Sequence, residues 1–241
     1  MTDLEYLQAQ GLDRWIDFTT PDANAFRPDA GDLARIHRLI RRRKSLTVLE
    51  LGVGYSTIVI ADALQKNQAE WDGLTEKPRL RNRFAFHCFT VDASQTWLER
   101  AKSSFPTELQ RSVTLSHSTC RIGTHNGQLC HFYEQLPDIV PDFIYLDGPD
   151  PKDVQGSING LSFQCAERTV MSGDVLLMES TLLPGAFILV DGRTNNCRFL
   201  SRNLTRNFAM KWDRQGDVTT FELVEDRLGP VNILASDILK D

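Results

Sequence analysis

Thr47-Val48-Leu49-Glu50-Leu51-Gly52-Val53-Gly54-Tyr55-Ser56 decides how the rest of the chain is read. A short apolar run ends in an acid, two glycines follow, and an amphipathic run begins at Thr57. That order predicts a strand, a tight turn and a helix. Glycine at 52 and 54 lets backbone approach a ligand that a Cβ would block. The carboxylate of Glu50 falls near the carboxyl end of the strand, where open α/β sheets bind ligands. An acid there suits a cationic or hydroxyl-rich ligand better than a bare pyrophosphate.

Working outward, residues 29–43 have helical spacing (Leu33, Ile36, Leu39, Ile40), and residues before about 28 read as a short helix and an extended lead-in. After the strand at 47–52 comes a helix over 56–66, then a polar surface insertion over 67–83. Further strands are expected at 84–91, 113–116, 129–133 (in an inserted hairpin), 142–146 and 186–190. Helices are expected at 94–104, with Ser94 as cap, at 156–169 and at 195–206. The segment 174–183 is open between strand and helix; helix is preferred, because Pro184-Gly185 stops it. Strands at 208–212 and 218–224 form a closing hairpin. The alternation predicts a doubly wound, mainly parallel α/β sheet of seven strands with a C-terminal antiparallel hairpin. Residues 1–44 are expected to be a helical lead-in packed on a domain spanning 45–241.

The 241 residues carry a formal net charge of −5, with 41% hydrophobic and 24% charged residues. That balance argues against a broad phosphate-binding surface, so no nucleic-acid partner is expected. The basic run Arg41-Arg42-Arg43-Lys44 reads as the solvated C-terminal end of a helix. Five scattered cysteines without a CxxC pair speak against a disulfide framework or structural zinc and for reduced thiols. The acidic start shows no signal peptide, and no apolar run is long enough to span a bilayer. A cytoplasmic protein without a membrane partner is expected; homo-oligomerisation stays open.

Taken together, ELGVGYS at 50–56, VDAS at 91–94, DFIYLDGP at 142–149, PGAFILVDG at 184–192 and the closing hairpin resemble a class I S-adenosylmethionine (SAM)-dependent methyltransferase. The GYS form of the first motif is similar to catechol- and caffeoyl-CoA-type O-methyltransferases; serine stands at 56 where a third glycine is common. The resemblance implies a Rossmann-like fold with SAM as cofactor. It implies that Glu50 orients the ammonium end, that Gly52 and Gly54 allow close approach, and that Tyr55 and Ser56 offer helix N-terminal amides to the carboxylate. It also implies that Asp92, followed by Ala93, accepts the ribose hydroxyls, and that Ser118 or Thr119 reaches the adenine edge. Trp97 is read as packing. NAD(P) is disfavoured, because the turn reads G-V-G-Y-S-T and an acid precedes it.

Methyl transfer from a sulfonium needs alignment and water exclusion, and an oxygen acceptor needs its proton removed. Asp147 and Asp191 end the fourth and fifth strands and are the catalytic candidates, with Asp147 also a cofactor contact. In the catechol-type relatives acids here help hold a divalent cation, but Gly192 stands where those relatives carry asparagine. A metal is therefore not favoured. The five histidines read as structural, with His125 in a polar loop near the site. Asp150 and Asp153 are candidates for the acceptor pocket. The acceptor is expected to be a small hydroxyl-bearing metabolite or sugar. A SAM- or nucleoside-binding module without catalysis is the alternative.

Overall fold

A computed structural model describes residues 1–19, 27–230 and 232–238. Two helices lead in, α1 (Asp3–Ala9) and α2 (Ala30–Arg43), followed by β1 (Thr47–Leu51), α3 (Tyr55–Asp72), β2 (His87–Asp92), α4 (Gln95–Ser104) and β3 (Val113–His117). Then come β4 (Cys120–His125), β5 (Gln128–Tyr133), β6 (Phe143–Leu146), β7 (Val154–Gln155) and α5 (Asp174–Met178). The chain closes with β8 (Phe187–Asp191), α6 (Thr194–Asn203), β9 (Phe208–Asp213) and β10 (Val218–Leu223).

Seven strands form one sheet in the order β3-β2-β1-β6-β8-β10-β9. Its first five strands are parallel, and β10 and β9 run antiparallel at one edge. This is the doubly wound sheet with a closing hairpin that the alternation predicts. All five residues of β1 are buried, because helices and a hairpin cover both faces. On one face Val48, Phe143, Tyr145 and Leu189 meet Leu33, Ile36 and Ile40 of α2 and Val59, Ala63 and Leu64 of α3. On the other, Leu49, Leu51, Ile144 and Ile188 meet Cys120, Tyr133, Val175, Phe199 and Leu200. The winding reverses between β1 and β6, which makes the carboxyl ends of those two strands the switch point where such sheets open a crevice.

The crossover from β3 to β6 is a departure from simple alternation. No helix fills it; the hairpin β4–β5 does, joined by β7 into a second three-stranded sheet. His125 is accordingly in β4, edge-on to Phe199. The predicted helix over 156–169 does not form. Asn159 and Gly160 both have positive φ (51° and 77°), and Ile158 bridges Leu161 across them. That is the Asn-Gly hairpin turn, which outweighs a helical spacing of apolar residues. The 67–83 insertion also begins later than expected. α3 runs on to Asp72, since Asn67 and Trp71 are buried on it.

Three of the four residues of the basic run at 41–44 are tied down, and Arg42 is exposed as expected. Arg41 binds Asn67 and Glu70, and Lys44 meets Glu70 at 2.9 Å. Arg43 reaches Glu222 and the Gly185 carbonyl and lies over the Phe187 ring. The segment 174–183 resolves as the short α5 and a 3₁₀ turn. No helix among the described residues is long and apolar enough to cross a membrane.

Candidate cofactor and active site

At the switch point, the first thing fixed is the turn after β1. Gly52 has φ +111°, a region L-residues rarely adopt. A Cβ on Gly52 would stand 2.7 Å from the Gly148 nitrogen and 3.0 Å from the Asp147 carbonyl carbon. The relation is mutual: a Cβ on Gly148 would stand 2.7 Å from the Gly52 Cα. The backbone that approaches Gly52 is thus the protein's own exit loop from β6, so the absence of a side chain here serves the packing of the two turns. Gly54 differs. It is exposed and extended (φ −171°), and a Cβ there would meet only the Ser56 Oγ, at 3.7 Å. Gly54 precedes the 18-residue helix α3, whose first-turn amides, including those of Tyr55 and Ser56, lack intrahelical acceptors.

Glu50 is fully buried beneath this turn, on the α2–α3 face of the sheet. Its carboxylate accepts three hydroxyls at 2.6 Å each, from Ser56, Thr57 and Thr90. Burial raises its pKa to about 7, against the pull of those three donors. The carboxylate therefore faces hydroxyls of the turn and of β2, and any influence on a ligand's ammonium passes through them. Asp92, 8% exposed, accepts the Val53 amide on one oxygen (2.7 Å) and the Ser94 amide on the other (2.6 Å). Burial raises this acid too, opposed by the two amides. One accepted bond per oxygen leaves lone pairs for further donors.

Ser118 is buried; its amide donates to the Asp92 carbonyl and its Oγ accepts the Gln135 amide at 2.9 Å. Thr119 and Ala93 are partly buried, and each spends its carbonyl on a neighbour, Glu134 and His117 respectively. The far wall is Asp147 and Asp191. Half of the Asp147 side chain is exposed (51%). Its carboxyl still lies deep enough among protein atoms that burial lifts it to about 6; Arg193 opposes this, while Asp191, Asp32 and Asp92 add to it. Arg193 donates to the carbonyls of Asp147 and Pro149 and sits 3.8 Å from the Asp147 carboxylate. Asp191 accepts the Tyr145 hydroxyl at 3.0 Å. Its pKa is raised by burial and by Asp32, with Tyr145, Arg35 and Arg193 acting the other way.

The turn, Asp92, Ser118, Asp147 and Asp191 thus all lie at or just past the carboxyl ends of the parallel strands. Asp150 and Asp153 lie just beyond it, with Asp150 paired to Lys152. Trp97 is partly buried on α4 beneath the Arg100 guanidinium. Among the described residues no three acid, imidazole or thiol side chains converge to hold a metal ion. The residues not anticipated are Thr90, Tyr145, Gly148 and Arg193. Gly148 carried a signal: like Gly52, it is a glycine within two residues of the end of a parallel strand. Arg193 and Tyr145 carried none, since their partners lie more than 40 residues away.

No protein-family model matches this chain, and no curated protein matches it either. Solved structures do. The O-methyltransferase TomG of Streptomyces achromogenes, in complex with SAM, is 17% identical, over 94% of this chain and 91% of that one, with a TM-score of 0.43. The methyltransferase PaMTH1 of Podospora anserina, bound to S-adenosylhomocysteine (SAH), is 14% identical over 92% and 88% (TM-score 0.49). An O-methyltransferase of Bacillus cereus in complex with SAH is 15% identical over 92% and 90% (TM-score 0.42).

Proposed function

We propose that this protein is a SAM-dependent methyltransferase acting on an oxygen of a small hydroxyl-bearing acceptor. The observation that carries the reading is the switch point itself. A glycine turn leads into the N-terminus of a long helix, and the acid that ends the neighbouring strand is bonded to that same turn. The amides of Tyr55 and Ser56 suit a carboxylate. Asp92, with lone pairs remaining, suits a pair of hydroxyls. SAM, when bound there, supplies an already activated methyl group.

The chain's own work is then alignment and proton removal. Asp147 is the group for the second task. A carboxyl raised to about 6 is ionised at neutral pH yet more basic than a free aspartate, which suits a general base. Arg193 fixes its carbonyl and that of Pro149 just after it. Asp191, held by Tyr145, shapes the neighbouring wall and its charge.

The test is calorimetric titration with SAM, SAH and NAD, followed by transfer of labelled methyl to a panel of hydroxylated small molecules with Mg²⁺ or EDTA. Binding of SAM with transfer to a hydroxyl is the expected result. Preference for NAD overturns the cofactor reading. SAM binding without transfer to any acceptor favours the non-catalytic module.

A further inference from the structure

β9 ends the seven-stranded sheet, so among the described residues its outer backbone edge has no strand beside it. Residues 209–213 are all exposed. The strand is six residues long, contains no proline, and carries Lys211 and Asp213 as its charged residues, so Phe208 to Met210 hold no charge. Its side chains alternate. Phe208, Met210 and Trp212 stand opposite Leu223, Phe221 and Thr219 of β10 and share their face. Phe221 and Leu223 are buried in the core there, but Met210 is 44% and Trp212 48% exposed. The core's apolar face therefore continues onto an edge strand and stops in the open.

We infer that β9 pairs with β9 of a second copy of this chain, antiparallel, about a two-fold axis at Met210. The strand's apolar residues complement their own copy, and its sequence favours that register over those centred on Lys211 or Trp212. Residues opposed in an antiparallel pair share a face, so a symmetric pairing must centre on a residue. Centred on Lys211, it sets Lys211 against its own copy, like charge directly opposite like charge. Centred on Trp212, it runs into the turn after Asp213, whose carboxylate already accepts the amides of Gln215 and Gly216. Centred on Met210, it sets Met210 on Met210 and Phe208 on Trp212 in both directions, an apolar ladder along the exposed face. Lys211 then lies opposite Ala209, with no charge to oppose it. Two sheets join into one, and both free edges disappear. The contact is one strand deep, so the dimer is expected to dissociate on dilution.

The experiment measures mass by light scattering across a concentration series. It compares the wild type with Met210→Glu and Trp212→Glu, both at exposed positions away from the candidate site. Thermal midpoints serve as a check that each variant is folded. The expected result is a concentration-dependent dimer for the wild type and a monomer for each variant. The register is tested with Met210→Cys in a Cys165→Ser background, Cys165 being the one cysteine not buried. Opposed Cα atoms about 4.5–5.5 Å apart fall within disulfide range, so mild oxidation should link the two copies. A wild type that stays monomeric throughout overturns the inference, and so does a dimer that survives both glutamates. A dimeric Met210→Cys protein that forms no disulfide overturns the register.

Discussion

Gly52→Ala tests whether the first-motif glycine serves the ligand or the fold. The structure says the fold. An L-residue held at φ +111° costs on the order of 1–3 kcal/mol in backbone strain. The added Cβ would stand 2.7 Å from the Gly148 nitrogen and 3.0 Å from two further backbone atoms. Those atoms cannot step aside cheaply. The Gly148 amide is bonded to the Leu51 carbonyl at 2.5 Å, and Asp147 donates to the same carbonyl at 3.0 Å. Overpacking of this kind adds about 1–3 kcal/mol. Together that is about 2–6 kcal/mol, a large share of the roughly 5–15 kcal/mol that holds a domain folded. Urea unfolding should therefore show a clearly lowered midpoint for Gly52→Ala with no ligand present. Gly54→Ala is the internal control: its backbone is extended and its nearest neighbour lies at 3.7 Å. It should stay within about 1 kcal/mol of wild-type stability and act on SAM affinity instead. Equal midpoints for Gly52→Ala and wild type would refute the reasoning.

Asp92→Ala orphans the Val53 and Ser94 amides and should cost on the order of 1–3 kcal/mol per lost bond while weakening SAM; thermal denaturation and calorimetry read both effects, and an unchanged midpoint would contradict the first. Glu50 has a folded-state pKa of about 7, above its ordinary 4.5, so its favourable contribution is complete below about pH 4.5 and is lost as pH rises through 7. Glu50→Gln removes that titration, so the difference in urea midpoint between wild type and variant should shift in the variant's favour across this window; a pH-independent difference would show that Glu50 does not titrate there. Tyr145→Phe takes from Asp191 a hydrogen bond that holds its pKa down. The Asp191 carboxyl should then titrate higher by NMR, and stability should fall by about 1–3 kcal/mol; an unmoved Asp191 titration would contradict the assignment.

The strand ends were legible because they join local signals: an apolar run, an acid and a glycine within a few residues. That is why β1, β2, β6 and β8 fall within a few residues of their expected places, and why Ser94 caps α4 as expected, accepting the Trp97 amide. The 156–169 error has a local cause as well. Asn159-Gly160 is a stronger short-range signal than scattered apolar spacing, and the turn prevails. What local sequence could not give is the partner of each acid. Asp92 is 39 residues from the amide it accepts at Val53. Glu50 is 40 residues from Thr90, and only the parallel register of β1 on β2, which sets Glu50 opposite Thr90, brings them together.

Those long-range partners change what the parts of the first motif are for. The turn at 52–54 is held from three directions before any ligand arrives: Gly148 packs on Gly52, Asp92 accepts the Val53 amide, and the Thr57 hydroxyl accepts the Gly54 amide at 3.3 Å. Thr57 in turn donates to Glu50, whose other oxygen takes Ser56 from the start of the same helix. Glu50 therefore acts on the site by fixing the hydroxyls that fix the turn. A wall built this way has little conformational freedom left to lose on binding, which is the advantage of preorganisation. It also explains why so much polar chemistry lies buried beneath an otherwise apolar sheet. Replacing Glu50 takes from the Ser56, Thr57 and Thr90 hydroxyls the acceptor they share, so the cost is expected to fall on the fold and on ligand affinity together.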